Sequence, residues 1–268
     1  PQERPANEPQ PHDTHHGSDA PEQNDAQPPP TEPITPMPPI TEADRAAAFP
    51  DVEPHRMRDD AIHAFVLLDQ VEWQSGDPAS GGNWDAKGWI GQDRDRLWFR
   101  TEGHTDDGRL EDAELHLLYG RAVSRWWELV AGVRQEFRPG PLQTWAAFGV
   151  QGLAPYWFDV EATGYFGDRG QTALRLEAEY ELLLTNRLVL KPLVEIDLYG
   201  KSNPERRIGA GLSDVDTGLR LRYELRREFA PYLGLTWHNS FGETRDLARA
   251  AGDAVSGLRF AVGVRAWY

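Results

Sequence analysis

The chain has 268 residues, 39% of them hydrophobic, and a mean hydropathy of -0.63. It can bury a core, but it contains no apolar run of the about 18 residues that a membrane-spanning helix needs. A formal net charge of -15 excludes nucleic acid as a partner, because phosphate binding requires a basic surface. The absence of cysteine excludes disulfides, thiolate metal sites and cysteine nucleophiles.

Residues 1–60 have the composition of a disordered tail. They hold 14 of the 21 prolines and a single aromatic residue, Phe49, and acidic side chains outnumber basic ones by 13 to 4. Such a segment cannot bury enough apolar surface to offset the entropy of ordering. We therefore predict an acidic, proline-rich tail, with a brief helical turn only around residues 46–49.

The tail contains a histidine cluster at His12, His15 and His16, with Asp13 between them. Three imidazoles and a carboxylate on a flexible segment can fold around a transition-metal ion, for which imidazole is a favoured ligand. Chance clustering in a polar tail is the alternative. This cluster is the first candidate metal site.

Residues 61–268 alternate between short apolar-polar segments and turn residues. In Leu174 to Leu182 every second residue is apolar and the intervening ones are charged, a pattern that lines one face of a strand but surrounds a helix. About twelve segments follow this pattern: 62–74, 83–92, 96–106, 110–121, 125–137, 143–153, 156–166, 171–184, 187–200, 213–227, 230–241 and 256–268. These segments predict an all-β fold, and their even number fits a closed antiparallel transmembrane β-barrel.

A soluble closed barrel of the lipocalin type has the same periodicity with its apolar face turned inward. The connections favour the membrane barrel, because tight turns such as residues 92–95 alternate with long polar loops such as residues 201–212. With twelve strands both ends of the barrel segment fall on the short-turn side, the predicted periplasmic side. Seven tryptophans near segment ends are expected to form interfacial girdles: Trp84, Trp98, Trp126, Trp127, Trp145, Trp157 and Trp267.

The second candidate metal site is predicted inside the barrel. Glu102, His104, Glu114 and His116 occupy same-facing positions of two segments joined near Asp107 and Gly108, in an arrangement that suits a transition-metal ion. Pairing about that turn predicts Glu102 near Asp112 and His104 near the rim. The alternative is a polar lumen filled by ion pairs, including one between Arg100 and Glu114.

Charged rows continue on the later segments. Glu177, Glu179 and Glu181 are predicted to face Lys191 and its neighbours and to rigidify the lumen, and a cation path along these carboxylates is the alternative. Pro192 lies inside a predicted strand, where a closed barrel offers no edge, so we expect a local bulge there.

Several stretches resemble the copper resistance protein B family. The resemblance is carried by residues 140–157, by Thr172-Ala-Leu-Arg-Leu-Glu-Ala-Glu-Tyr-Glu-Leu-Leu-Leu-Thr185, and by residues 226–237 and 262–268. It implies an outer-membrane barrel that binds copper and contributes to copper resistance by sequestration or by passage across the outer membrane, and the strand count places the N-terminal tail of this barrel in the periplasm. Outer-membrane lipid, copper ions and periplasmic copper-resistance proteins are the partners it implies. The tail differs from the Met- and His-rich tails of many members, since it offers only Met37 and Met57, and the plentiful His and carboxylate donors favour Cu(II) over Cu(I).

Two other functions fit the same segments. His238 and Ser240 stand two apart on a predicted strand with Asn239 between them, as in an outer-membrane phospholipase, which would make the chain a hydrolase. If Leu235 and Trp237 face lipid, however, His238 and Ser240 face the lumen, out of reach of a membrane acyl chain, so we expect no enzyme. A structural or adhesive barrel is the remaining alternative.

Overall fold

The computed structural model describes residues 38–48, 61–76, 80–138 and 140–268. The chain divides into two compact units, residues 1–56 and 57–268. The described part of the first unit is a short helix, α1 (Glu42–Ala48). Thr41 caps it, because its Oγ1 accepts a hydrogen bond from the Asp44 amide while the Asp44 carboxylate accepts one from the Thr41 amide. The predicted histidine cluster, like most of the predicted tail, lies outside the described residues.

The second unit is a single antiparallel sheet that closes on itself, because β1 pairs with β13. The strands are β1 (His63–Gly76), β2 (Ser80–Gly91), β3 (Asp95–Asp106), β4 (Arg109–Ala122), β5 (Trp127–Arg138), β6 (Gln143–Ala154), β7 (Phe158–Gly167), β8 (Thr172–Glu179), β9 (Leu182–Leu183), β10 (Leu188–Tyr199), β11 (Gly211–Tyr223), β12 (Phe229–Ser240) and β13 (Ser256–Trp267). The two-residue β9 continues β8 along the same neighbour, β10, so the wall has the twelve strands that the sequence predicts.

The outer face of the barrel is apolar and the inner face is polar. On β4, Leu115, Leu117 and Tyr119 are 43–49% exposed, whereas the alternating Glu114 and His116 are buried in the interior. This orientation is the reverse of a soluble barrel, so the lipocalin alternative is wrong and the fold is of the outer-membrane type. No helix among the described residues is long and apolar enough to cross a membrane.

The two rims differ in their connections. One rim, the short-turn rim, carries tight connections such as residues 92–94 and 224–228. The other, the long-connection rim, carries residues 200–210 and the segment 241–255 that contains helix α2 (Gly242–Ala251), although its turn at Asp107 and Gly108 is also tight. β1 begins and β13 ends at the short-turn rim, as predicted.

The bulge predicted at Pro192 is absent. Pro192 pairs with Leu219 in a β10–β11 register that continues without a shift from Leu188 to Asp197, and β10 keeps one register against both β8 and β9. The irregularity lies instead on the neighbouring strand, where Tyr180 and Glu181 separate β8 from β9. Proline lacks the amide hydrogen that pairing with the next strand requires. The break between β8 and β9 opposite Pro192 has the same physical cause as the bulge that was expected on β10.

A β-bulge at Asp69 changes which residues of β1 face the lumen. The register of β1 shifts by one residue against both β2 and β13 between Leu68 and Val71. Leu67 and Asp69 are buried before the shift in chain order, and Gln70 and Glu72 are buried after it. The extra residue thus places two adjacent polar side chains inside the barrel.

The girdle prediction is only partly right. Trp126 and Trp157 lie exposed at the short-turn rim, where their rings meet edge to face with centroids 5.7 Å apart. Trp145, by contrast, is 2% exposed in a lumenal cluster with Leu118 and Tyr165. Trp98 also faces the lumen, where its Nε1 donates a hydrogen bond to Glu128. Position near a strand end could not reveal this, because the face of the strand decides whether a ring meets lipid.

Buried ion pairs tie distant strands together across the lumen. Arg220 on β11 donates two hydrogen bonds to Glu72 on β1, at 3.0 Å from Nε to Oε2 and 2.8 Å from NH2 to Oε1. Tyr232 on β12 donates a third to Glu72 Oε2 at 2.7 Å. Fully bonded buried charges of this kind rigidify a structure, and removal of one partner leaves the other uncompensated.

We expect Glu72→Ala to destabilise the barrel by about 3 to 5 kcal/mol, because Arg220 would remain buried without its partner. Glu72→Gln, which still accepts a hydrogen bond, should cost less. Urea unfolding in lipid vesicles, followed by tryptophan fluorescence, measures the difference. The matched control is Glu111→Ala at the exposed rim, expected to change stability by less than about 0.5 kcal/mol. Equal unfolding midpoints for Glu72→Ala and Glu111→Ala would contradict this role of the Glu72 network.

Candidate functional site

The lumen holds two cavities that meet at one ion pair. The long-rim cavity, of about 440 Å³, lies toward the long-connection rim, and the short-rim cavity, of about 740 Å³, lies toward the short-turn rim. Among the described residues only Lys87 and Glu161 line both. Lys87 Nζ lies 3.2 Å from Glu161 Oε1, and Arg100 also pairs with Glu161. These three side chains separate the two cavities.

A turn and a bulge bring the candidate metal ligands of β3 and β4 together. The two-residue turn at Asp107 and Gly108, both with positive φ, pairs Thr105 with Leu110. Continued without interruption, that register would pair Glu102 with Ala113 and turn Glu114 to the lipid side. The extra residue in β4, between Leu110 and Asp112, shifts the register so that Glu102 lies opposite Glu114 on the lumen side.

Glu102, Glu114 and His116 form a compact group of metal-ligating side chains. One ligand atom from each lies within 4.8 Å of one from each of the others. Two ligands of one ion lie at most about 4.2 Å apart when each bond is about 2.1 Å, so a shift of less than 1 Å would close this group around a metal. Glu114 and His116 are 2% and 4% exposed, while Glu102 is the more open member.

His116 has one satisfied ring nitrogen and one unsatisfied ring nitrogen. Its Nε2 lies 2.8 Å from Glu114 Oε1, and its ring meets the edge of Tyr165 with centroids 5.9 Å apart. Its buried Nδ1 has no hydrogen-bond partner within the described part of the chain. Buried polar atoms normally have partners, so the lone pair of this nitrogen is free to bind a metal ion.

Two arginines reach the carboxylates from other walls of the barrel. Arg134 on β5 pairs with Glu114, and Arg175 on β8 pairs with both Glu102 and Glu114. Arg175 Nε also lies 3.0 Å from an oxygen of Glu195 and 3.0 Å from one of Asp197. The pair predicted between Arg100 and Glu114 is therefore wrong, because Arg100 reaches across the lumen to Glu161 instead.

Negative charge exceeds positive charge around this group. The carboxylates are Glu102, Glu114, Glu136, Glu195 and Asp197, and the guanidinium groups are Arg134, Arg175 and Arg206. With all of them ionised, the excess equals the charge of one divalent cation. Carboxylate and imidazole ligands in a pocket of this charge suit a divalent transition metal such as Cu(II).

Comparison with known proteins decides the family. The family model described as copper resistance protein B precursor matches residues 62–268. Copper resistance protein B of Escherichia coli is 50% identical over 238 residues, which cover 89% of this chain and 80% of that protein. The copper resistance protein B homolog of Pseudomonas syringae pv. tomato is 51% identical over 239 residues, or 89% of this chain and 81% of that protein. This chain belongs to the copper resistance protein B family.

A solved structure supports the fold of this copper resistance protein B family member. The NanC porin has a TM-score of 0.51 at 12% identity, and the match covers 76% of this chain and 99% of the porin. At that identity the likeness concerns the fold alone. The resemblance seen in the sequence and the predicted outer-membrane barrel are both confirmed.

His104 lies apart from the other predicted ligands of this family member. It pairs with Asp112 across the ladder, two positions nearer the rim than Glu102. Arg259 NH1 on β13 donates to His104 Nε2 at 2.7 Å, and Asp106 Oδ1 lies 3.3 Å from the same nitrogen. His104 therefore lines the long-rim cavity near its mouth, as the sequence predicts, without joining the Glu102 group.

The hydrolase alternative rests on a hydrogen-bonded row at the ends of β11 and β12. Asp216 Oδ1 lies 2.8 Å from His238 Nδ1, and His238 Nε2 lies 3.2 Å from Ser240 Oγ. Ser240 Oγ nevertheless donates its hydrogen to Asp214 Oδ1 at 2.7 Å, and the residue is only 4% exposed. A hydroxyl directed at a carboxylate is not activated by the imidazole, so this geometry does not favour hydrolysis.

The sequence did not identify the arginines that surround the site. Arg134 and Arg175 stand at lumen-facing positions, and their charge alone marks them as lumenal ion-pair formers. Arg134 meets Glu114 from the adjacent strand β5. Arg175 on β8, however, lies four strands from Glu114 and five from Glu102, and only the closed barrel brings it into contact with them. Alternation reveals which face a side chain occupies but not what stands opposite across the lumen.

Proposed function

We propose that this barrel binds Cu(II) in its lumen and contributes to copper resistance at the outer membrane, by sequestering copper or by passing it across. The observation that carries the proposal is the compact group of Glu102, Glu114 and His116, in which His116 also holds a buried ring nitrogen with no partner among the described residues. The names of the two relatives, both copper resistance proteins, support the choice of metal.

The inventory of ligands supports Cu(II) rather than Cu(I). Soft thiolate and thioether ligands select Cu(I), but the chain has no cysteine and only two methionines. The imidazole and carboxylates of the Glu102 group suit the harder Cu(II) ion. On this proposal the protein handles copper as cargo and is not an enzyme.

The tail would act on the periplasmic side of the membrane. Because β1 begins at the short-turn rim, which is periplasmic in barrels of this type, the preceding tail would lie in the periplasm. There His12, His15 and His16 would take up copper loosely and meet periplasmic copper-resistance proteins, while the apolar outer face contacts outer-membrane lipid. His104, near the mouth of the long-rim cavity, would be a further ligand on the copper path.

Replacing His116 with Gln tests the lumenal site. We expect the affinity of this site for Cu(II) to fall by more than about 100-fold, because loss of a mere orienting partner already costs 10- to 100-fold. Competitive titration of Cu(II) against a chelator, with the full chain in detergent, measures the loss, and nitrogen hyperfine structure in the Cu(II) spectrum should weaken in parallel.

The matched control is His63→Gln, which removes an exposed imidazole at the other rim. Glu102→Gln provides a second variant that keeps shape and hydrogen bonding but removes a charged ligand. If the His116 and Glu102 variants both fold and bind Cu(II) as the parent does, copper does not bind at this group.

A further inference from the structure

A second group of metal-ligating side chains lies at the far end of the long-rim cavity. Asp214 pairs with Ser240, and Asp216 pairs with His238, where β11 and β12 approach the long-connection rim. The side chains of His238 and Asp216 are 43% and 44% exposed, and both line the cavity. Glu102 and His116 line the same cavity deeper in the barrel.

Hydrogen bonding fixes the imidazole in the form that binds metals. A carboxylate accepts only, so Asp216 takes the Nδ1 hydrogen of His238 at 2.8 Å and leaves Nε2 with its lone pair. Histidines that bind metals almost always donate their other ring N–H to such a partner. Asp216 therefore acts as a positioning residue for Nε2.

Within the described part of the chain, no side chain donates a hydrogen bond to that lone pair. Ser240 has a single hydroxyl hydrogen, and it is given to Asp214 Oδ1 at 2.7 Å rather than to His238 Nε2 at 3.2 Å. Ser213 donates to the other Asp214 oxygen at 2.5 Å. Asp214 Oδ1 lies 3.5 Å from Nε2, a separation that suits two ligands of one ion.

We propose that His238 Nε2 and Asp214, assisted by the Ser240 hydroxyl, form a second Cu(II) site at the outer mouth of the lumen. This inference rests on the proposed function and adds a second binding site, through which copper would enter or leave the cavity that holds the Glu102 group. The nearest facing cation is Arg259 on β13, which is engaged by His104 and Asp106. Two unequal sites then share one cavity, the mouth site open and the Glu102 group buried.

The test counts copper ions on the full chain. The background carries His12→Ala, His15→Ala and His16→Ala, so that tail histidines do not contribute, and the probe is Cu(II) alone, measured by competitive titration and by nitrogen hyperfine structure. His238→Gln should abolish one equivalent and leave the one that His116→Gln removes. Asp214→Asn should weaken the same equivalent, and His63→Gln should change neither.

The role of Asp216 has its own readout. Asp216→Ala should lower the affinity of the mouth site by 10- to 100-fold, and Asp216→Asn, whose amide oxygen can still accept from Nδ1, should recover part of it. If folded His238→Gln and Asp214→Asn retain every equivalent while His116→Gln loses one, the mouth site is wrong and the proposed function stands. If His116→Gln loses nothing while His238→Gln does, the buried site is wrong instead.

Discussion

Replacing Arg175 with Met is expected to strengthen Cu(II) binding at the Glu102 group by about 10- to 100-fold. Arg175 contacts both Glu102 and Glu114, so an incoming ion must displace its guanidinium group or share the oxygens with it. Two unit charges 4 Å apart interact by about 4 kcal/mol at an effective dielectric constant of 20, so the removal of one competing charge is worth a large part of that energy.

The same change should make folding depend on copper. Without metal, four carboxylates lose a shared partner, namely Glu102, Glu114, Glu195 and Asp197. We expect the metal-free variant to be about 3 to 5 kcal/mol less stable than the parent and to recover much of this when Cu(II) is added. Urea unfolding with and without Cu(II), together with chelator competition, measures both effects.

Arg222→Met is the matched control for Arg175. Arg222 is also a buried arginine with two carboxylate partners, Glu181 and Glu224, but it lies near the short-turn rim. It should lower stability without raising copper affinity. Should Arg175→Met bind Cu(II) no more tightly than the parent does, Arg175 is not a competitor for the site.

Removing Lys87 and Glu161 together is expected to open the lumen from end to end. These side chains alone, among those described, line both cavities. We expect Lys87→Ala with Glu161→Ala to raise the single-channel conductance in planar lipid bilayers several-fold over that of the parent. The double change removes both charges of this pair, but Arg100 then loses its carboxylate partner Glu161, so the folding of the variant is checked before conductance is recorded.

Arg222→Ala, at the short-turn rim, serves as the control and should leave conductance near the parent value. Unchanged conductance in the folded double variant would mean that other side chains close the path. The second row of ion pairs, in which Lys191 contacts Asp69 and Glu179, is then the next barrier to remove.

The wall of the barrel could be predicted because it follows a local rule. Alternation along Leu174 to Leu182 fixes strand and face, and turn residues fix the number of strands. The predictions of a bulge at Pro192 and of an interfacial position for Trp145 failed for related reasons. Both depend on which neighbour or which face a position meets in the closed sheet, and a single segment does not contain that information.

The candidate site was predicted in part. Glu102, Glu114 and His116 were expected on one face, but Glu102 was expected opposite Asp112 rather than Glu114. A bulge near the Asp107 turn shifts the register, and bulges leave little trace in composition. The engagement of His104 by Arg259, 155 residues away, could not be read from any local pattern.

The Asp69 bulge makes β1 tolerant of some substitutions but intolerant of a change in its number of residues. Side chains on the outer face, such as Val66 and Val71, can exchange for other apolar residues with little effect on the interior. Gain or loss of a single residue between Leu67 and Val71 would instead exchange the lipid and lumen sides of everything on one flank of the change. Because the pairing of β1 with β13 closes the barrel, that exchange would disrupt the closure of the barrel. Relatives should therefore vary freely in the identity of these outward residues while keeping the residue count of this stretch.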